Sequence, residues 1–327
     1  MTRLAVAVFA LGLAALPARA NDSSAEIGVG GLTLTKSADV VMESEDLFIS
    51  EERITVDYVF TNTSATDIET LVAFPLPDVV NGPEDIYRPD FAKELDFKTT
   101  IDGRPATLKL VQSARVNGID VTAQVLAAGL PLSPDGKFEE QVKALSPDVL
   151  KRLIDIGAVK NDGNDSEPYW NAHWTTRTTV TRTQVFPAGR SIAVSHSYKP
   201  FAGGSVGSIL KADLRKDAMF AKEVAEHRAK FCIDDGFVKS LDATQGKNPE
   251  LLRSETWLAY VLTSGANWKG PIGRFRMVID KGDAKNLVSF CGTGVKKIAP
   301  TRFEVVHDNF TPRQDVNVLI IRPPRAD

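Results

Sequence analysis

The alternation of apolar and polar side chains predicts that the first half of the chain is antiparallel β-sheet. Apolar residues occupy every second position over residues 54–60, and the alternation resumes over residues 68–74. Residues 62–67 between them are Asn, Thr, Ser, Ala, Thr and Asp, most of which favour turns. The pattern predicts a β-hairpin with one apolar face, and Pro75 ends its second strand because proline cannot donate to a strand ladder.

Similar patterns predict strands elsewhere in the chain. A second hairpin is expected over residues 97–110 with Asp102-Gly103 at its turn, and a third over residues 174–198. His196 alternates with Val194 and Tyr198 on the last of these strands, which favours a hydrogen-bonded core histidine. Leu32 and Leu34 indicate a strand near the start. The last 75 residues contain five short β-prone segments, and residues 316–321 are apolar on both faces, which is typical of a central strand.

The period of the pattern changes to that of a helix over residues 117–165. Phe138, Val142 and Leu145 form one helical stripe, and Ser146-Pro147 can begin a second helix that Gly157 ends. These signals predict a helical hairpin inserted between strands. A further helix is expected over residues 213–231.

Together these elements predict a mainly β protein of the α+β class. We expect an antiparallel β-sandwich built from both halves of the chain, residues 21–116 and residues 166–327, with a helical insertion at residues 117–165.

The first 20 residues have the pattern of a signal peptide. Arg3 supplies the positive charge, residues 4–16 the apolar segment, and Ala18-Arg19-Ala20 the small-residue cleavage pattern. We therefore expect cleavage near Ala20 and a periplasmic or secreted mature chain. No later segment approaches the roughly 20 apolar residues of a membrane span, so no span is expected in the mature chain.

The charge of the chain argues against a nucleic-acid partner. Without residues 1–20, 37 basic side chains face 42 acidic ones, whereas nucleic-acid binding needs clustered Lys and Arg. The composition, 43% hydrophobic and 25% charged, is that of an ordinary globular protein.

Cys232 and Cys291 are the two cysteines of the chain. In an oxidising compartment an even pair favours a disulfide. A redox pair or half of a metal site are the alternatives, and neither has the close Cys spacing that would favour it.

A set of motifs near the C-terminus resembles a known family. The segments Gly265-Ala266-Asn267-Trp268-Lys269-Gly270-Pro271, Asp280-Lys281-Gly282 and Ser289-Phe290-Cys291-Gly292 are similar to the domain of unknown function 4424 (DUF4424), a group of exported bacterial proteins. The resemblance covers nearly all of the mature chain and implies no particular activity. Residues 54–77 also resemble the opening of the vault and inter-alpha-trypsin domain, which favours a sandwich.

The sharpest catalytic candidate is the loop Gly203-Gly204-Ser205-Val206-Gly207, which fits the G-x-S-x-G pattern of serine hydrolases. Asp280 or Asp283 and then His307 follow Ser205 in the order that such a triad takes. Lys199 and Pro200 interrupt the strand before the loop, so a flexible connection is the alternative interpretation. No phosphate-binding glycine motif or paired-histidine spacing is present, and we expect no cofactor and no metal.

The densest aromatic cluster comprises Tyr169, Trp170, His173 and Trp174. Aromatic faces can stack on a glycan or contact a partner protein, and they can equally belong to the core. The missing catalytic constellation and the predicted sandwich, a fold that commonly serves as a contact scaffold, favour a non-catalytic binding or interaction protein of the cell envelope, with an unknown protein or glycan as partner. An envelope hydrolase that uses Ser205 is the alternative.

Overall fold

The computed structural model describes residues 21–28, 31–82, 94–164, 166–244 and 253–323. The predicted signal peptide lies outside these residues. The described strands of the first half are β1 (Ser23–Gly28), β2 (Gly31–Thr35), β3 (Val40–Ile49), β4 (Ile54–Asn62), β5 (Ile68–Pro75), β6 (Val79–Val80), β7 (Lys98–Ile101), β8 (Arg104–Pro105), β9 (Lys109–Val116), β10 (Ile119–Asp120) and β11 (Val159–Asn161). Those that follow are β12 (Trp170–Ala172), β13 (Thr175–Phe186), β14 (Ser191–Tyr198), β15 (Gly203–Ser205), β16 (Glu255–Tyr260), β17 (Ile272–Asp280), β18 (Leu287–Phe290), β19 (Lys296–Lys297), β20 (Arg302–Phe310) and β21 (Val316–Ile321).

Five α-helices and three short 3-10 turns complete the described elements, and strand outweighs helix. The helices are α1 (Thr122–Ala127), α2 (Phe138–Lys143), α3 (Pro147–Asp155), α4 (Ala221–Phe231) and α5 (Asp235–Thr244). The expectation of a mainly β, largely antiparallel fold is confirmed.

The described strands form three main sheets. The first has the order β10-β9-β13-β5-β1-β2, with β6 also on β13; the second is β19-β20-β17-β3-β4-β14-β7-β8; the third is β15-β16-β21-β18. Buried apolar residues from all three sheets form one core, in which the second sheet faces the other two. Neighbouring strands are antiparallel except β3 and β17, which pair in parallel.

The first predicted hairpin is not a hairpin. Strand β4 pairs with β3 and β14 in the second sheet, whereas β5 pairs with β13 and β1 in the first. The chain therefore crosses from one layer of the sandwich to the other through residues 63–67. An apolar face on each strand is compatible with both arrangements, because in either one the apolar faces of both strands point into the core.

The third predicted hairpin is also a crossing between layers. Strand β13 belongs to the first sheet and β14 to the second. The two crossings lie against each other: Asn62 Nδ2 donates to the carbonyl of Phe186 at 2.8 Å, and Ala188 N donates to Asp67 Oδ1 at 2.8 Å. Each crossing thus provides partners for polar groups of the other.

The other expectations are met in part. Strands β7 and β8 form the short hairpin at Asp102-Gly103, but the chain then leaves for β9 in another sheet. Strand β21 lies between β16 and β18, as its apolar faces predict. The helix expected from residue 213 begins at Ala221, after two short 3-10 turns, and α5 follows it.

The predicted disulfide between Cys232 and Cys291 is present. It joins the end of α4 to the end of β18, and Ser289 Oγ donates to the carbonyl of Phe231 at 2.9 Å beside it. Apolar residues of α4, α5 and the outer face of β21 form a separate small core at this contact.

Candidate functional site

Helices α1, α2 and α3, with strands β11 and β12, form a module around a core of its own. We call it the helical module. Phe138 and Val142 of α2, Leu153 of α3 and Val125 of α1 are buried in this core together with Trp174. The apolar spacing within each short helix turns these residues to one side. The module therefore has a buried core distinct from the main one, and Ala114 and Val116 of β9 also contribute to it.

A groove of about 340 Å³ lies between α1 and α3 on this module. Its lining combines apolar side chains with a few polar ones: Gln124, Ala127, Ala128, Val149, Arg152, Leu153, Asp155 and Ile156. Leu126 and Ile154 on the same two helices are 55% and 42% exposed. A mostly apolar recess with a few polar groups is typical of binding sites.

The predicted aromatic cluster divides between surface and core. Trp174 is 1% exposed, its Nε1 donates to the carbonyl of Leu132 at 2.9 Å, and its ring meets Phe138 edge-on. Trp174 is therefore a core residue, and its expected role in ligand contact is wrong because no face of the indole reaches solvent. Tyr169 is 48% exposed and Trp170 is partly exposed.

His173 of the same cluster is engaged with a carboxylate. Its Nε2 lies 2.8 Å from Asp162 Oδ2, which also accepts a hydrogen bond from Asn171 Nδ2 at 3.0 Å. Tyr169 and Trp170 are thus the members of the cluster whose rings remain open to a partner.

The first part of the predicted loop, up to Ser205, is a β-strand. Gly203, Gly204 and Ser205 form β15 at the edge of the third sheet, opposite Trp257, Thr256 and Glu255 of β16. A Cβ at Gly204 would lie 2.6 Å from the carbonyl oxygen of Glu255, and one at Gly203 would lie 3.1 Å from the Trp257 ring. The glycines therefore permit close packing on β16, and a strand-to-helix elbow is not formed here.

The other members of the catalytic candidate lie in the second sheet. Asp280 Oδ2 accepts from Arg302 Nε at 2.8 Å, and His307 Nε2 lies 3.3 Å from Thr293 Oγ1. Asp280 stands opposite Arg302 on the neighbouring strand and His307 opposite Phe275, so the two are separated by five positions, roughly 16 Å. The structure does not bring them together as a catalytic pair.

A second, polar recess of about 440 Å³ adjoins the Ser205 strand. Its lining includes Glu51, Glu52, Lys199, Gly203, Gly204, Glu255 and Arg322. Arg322 bonds both Glu51 and Thr256, and Glu255 Oε2 accepts from Trp257 Nε1 at 2.7 Å and lies 3.1 Å from His227 Nε2. Most of its charged groups are thus paired within the protein.

The centre of the molecule holds a buried polar network that the sequence did not indicate. Asp22 accepts two hydrogen bonds from Arg182, at 3.1 and 2.6 Å, and lies 3.1 Å from His196 Nε2. Burial alone would raise the pKa of Asp22, but Arg182 and His196 outweigh burial and hold it well below its usual value. His196 Nδ1 lies 2.8 Å from Thr99 Oγ1, which confirms its predicted place as a hydrogen-bonded core histidine.

Glu45 forms the other half of this network. It is 1% exposed and accepts from Asn21 Nδ2 at 2.9 Å and from the Tyr260 hydroxyl at 3.2 Å. Burial raises the pKa of Glu45 to about 8, although both hydrogen bonds favour the ionised form. Tyr58 bonds both Asn21 and Tyr260, so this half of the network joins Asn21 to strands β3, β4 and β16.

The described residues contain no group of three or more His, Cys, Asp or Glu side chains placed to hold a metal ion. No helix among them is both long and apolar enough to cross a membrane.

Comparisons with known proteins give a family and a distant structural likeness. None of the curated proteins matches the sequence. Among solved structures, a protein of Legionella pneumophila that has been proposed to bind nutrients is similar at 12% identity, with a TM-score of 0.45, over 93% of this chain and 70% of that one. The domain of unknown function DUF4424 matches residues 20–319. The chain therefore belongs to the DUF4424 family, as the motifs around Trp268 and Cys291 predict.

Proposed function

We propose that this protein is an extracytoplasmic binding protein without catalytic activity, and that its helical module makes the contact. The groove between α1 and α3 supports this proposal most directly. Its size suits one or two large apolar side chains of a partner protein, and Gln124, Arg152 and Asp155 can orient the partner's polar groups.

Exposed apolar residues on the same module support the proposal further. Leu126 and Ile154 are large apolar side chains with substantial exposure, and Tyr169 adds an exposed aromatic ring on the adjoining hairpin. A buried core beneath them keeps the helices fixed, so a partner would meet a preformed surface. We propose a protein partner of the cell envelope whose contact segment is apolar.

The proposed compartment is supported by the disulfide between Cys232 and Cys291. Disulfides persist in oxidising compartments and are rare in the cytosol. The signal-peptide pattern of residues 1–20 favours the same location.

Photo-cross-linking tests the proposed contact. A photoreactive residue at Leu126 should give one discrete protein adduct in the cell envelope, because this exposed side chain lies on the helix that forms one side of the groove. Ala127→Phe should abolish the adduct by filling the groove from an exposed helix position. The matched control is the same photoreactive residue at Val206, which is 82% exposed and lies on another part of the fold.

Equal adducts from Leu126 and Val206, or none from Leu126, would contradict the proposal. Adducts of polysaccharide instead of protein would favour a glycan partner.

A hydrolase with Ser205 as nucleophile and His307 as base is the alternative. It predicts labelling by a serine-reactive fluorophosphonate that Ser205→Ala removes. We expect no labelling, because Ser205 lies on an edge strand and not at a strand-to-helix elbow, and His307 lies in another sheet.

A further inference from the structure

The start of the predicted mature chain lies inside the molecule. Asn21, Asp22 and Ser23 have no exposed surface. Chain termini are normally found at the surface and are poorly ordered. A terminus placed in the core therefore needs partners for its polar groups.

The backbone of this segment is fixed by the family motif. Ser264 Oγ donates to the carbonyl of Asn21 at 2.7 Å, and Trp268 Nε1 donates to the carbonyl of Asp22 at 2.6 Å. A Cβ at Gly265 would lie 2.5 Å from Asn21 Nδ2. Residues of this motif and Ser264 thus hydrogen-bond to Asn21 and Asp22 and pack closely against them.

One buried carboxyl group faces the first residue. The described hydrogen-bond donors to Glu45 are the Asn21 amide and the Tyr260 hydroxyl, both uncharged. An ionised buried carboxylate is stabilised far more by a cation than by neutral donors. The α-nitrogen of Asn21 is four covalent bonds from Nδ2, hence within about 5 Å of it, and Nδ2 is 2.9 Å from Glu45.

We propose that Glu45 is the counter-ion of the α-ammonium group that cleavage between Ala20 and Asn21 creates. Hydrolysis of this peptide bond consumes one water and leaves a carboxylate on Ala20 and an ammonium on Asn21. The new cation then lies beside Glu45, and the ion pair completes the buried network. Asn21 is thereby the required first residue of the mature protein. This inference rests on export, which is part of the proposed function.

A thermodynamic cycle on the mature protein tests the pair. The cycle compares a chain that begins at Asn21 with a chain that carries one additional glycine before Asn21. Each of the two is made with Glu45 and with the Glu45→Gln substitution. With Glu45, the added glycine should lower Tm by roughly 10 °C, because it converts the Asn21 amine into an amide and moves the ammonium one residue away from the carboxyl. With Glu45→Gln, the added glycine should have much less effect.

Chemical modification provides a second measurement that needs no variant. A free terminus has a pKa of about 8 and acylates readily at that pH. The α-amino group of the native protein should acylate at least tenfold more slowly than the exposed Lys222, whose side chain is 81% exposed. After unfolding it should acylate faster than Lys222, because its lower pKa leaves more of it unprotonated. Peptide mass spectrometry separates the two sites.

Acylation of the α-amino group at least as fast as that of Lys222 in the native protein would overturn the inference, as would the same glycine effect in both backgrounds. Sequencing of the envelope protein should find Asn21 first; another first residue would also overturn it. None of these results affects the cross-linking at Leu126, so failure of the groove proposal is separately visible.

Discussion

At the residue scale, the buried pair of Asp22 and Arg182 has large energetic consequences. Both side chains are almost fully buried, and Asp22 also faces His196. Removing two charges from water is costly, and the pair is tolerated because two hydrogen bonds join them. Loss of one partner should therefore cost much more than loss of a surface pair.

We expect Asp22→Asn to destabilise the protein by about 3–5 kcal/mol, because it leaves the Arg182 charge buried without an opposite charge. Denaturant unfolding of the two proteins measures this difference. The control is Asp78→Asn, which removes the partly exposed pair with Arg177 and should cost less than about 1 kcal/mol. Equal losses in the two variants would show that burial of the Asp22 pair is energetically unimportant.

The raised pKa of Glu45 predicts how the free energy of unfolding depends on pH. With a peptide bond before Asn21, the folded chain keeps the Glu45 proton up to about pH 8, whereas the unfolded chain loses it near pH 4.3. The folded state then binds more protons between these values, so stability falls as pH rises, by at most about 1.4 kcal/mol per pH unit.

Unfolding free energies of the glycine-extended chain from pH 5 to 8 measure this fall. Glu45→Gln should remove the Glu45 contribution to it. The chain that begins at Asn21 should show a smaller fall, since the α-ammonium favours the ionised carboxylate. If the unfolding free energy of Glu45→Gln falls with pH as much as that of the parent chain, another titrating group causes the fall.

The sequence predicted His196 in the core but not its carboxylate partner. Strand alternation places His196 beside Val194 and Tyr198, which is a local signal. Asp22 and Glu45 each find their partners more than 20 positions away, and residues 43–46, Glu-Ser-Glu-Asp, read as solvent-exposed. Local patterns carry no information about such distant partners.

At the element scale, the sequence predicted strands more reliably than their pairing. Strands β4, β5, β13 and β14 all lie where alternation placed them. Their connections were wrong because a turn of five or six polar residues can close a hairpin or cross between layers. Strand β3 was missed because its acidic stretch obscures the alternation that buries Met42, Leu47 and Ile49.

The disulfide that joins the ends of α4 and β18 permits a quantitative prediction about stability. Closing a loop with a sequence separation of 59 should stabilise the fold by about 4 kcal/mol in the chain-entropy model. Cys232→Ser and Cys291→Ser should therefore lower Tm equally, and the double variant should lower it no further. A reductant should bring the wild type to the same Tm. Widely different single variants would contradict this interpretation.

At the scale of the whole molecule, separate cores serve different purposes. The main core encloses the buried network, whereas the helical module has its own core and carries the groove. The sequence predicted α2 and α3 from their stripes but not α1, and it singled out the aromatic cluster that includes Tyr169 and Trp170. It could not predict the groove, because a recess depends on how α1 and α3 meet in space.

The parallel pairing of β3 with β17 constrains the order of assembly. Residues 44–49 lie beside residues 274–279, so the middle of the second sheet stays open until nearly the whole polypeptide has been made. Folding that depends on such remote pairings is slow and leaves unpaired, aggregation-prone strand edges exposed in the meantime. The nascent chain should accordingly depend on a holding chaperone, and a fragment that stops before residue 272 should aggregate.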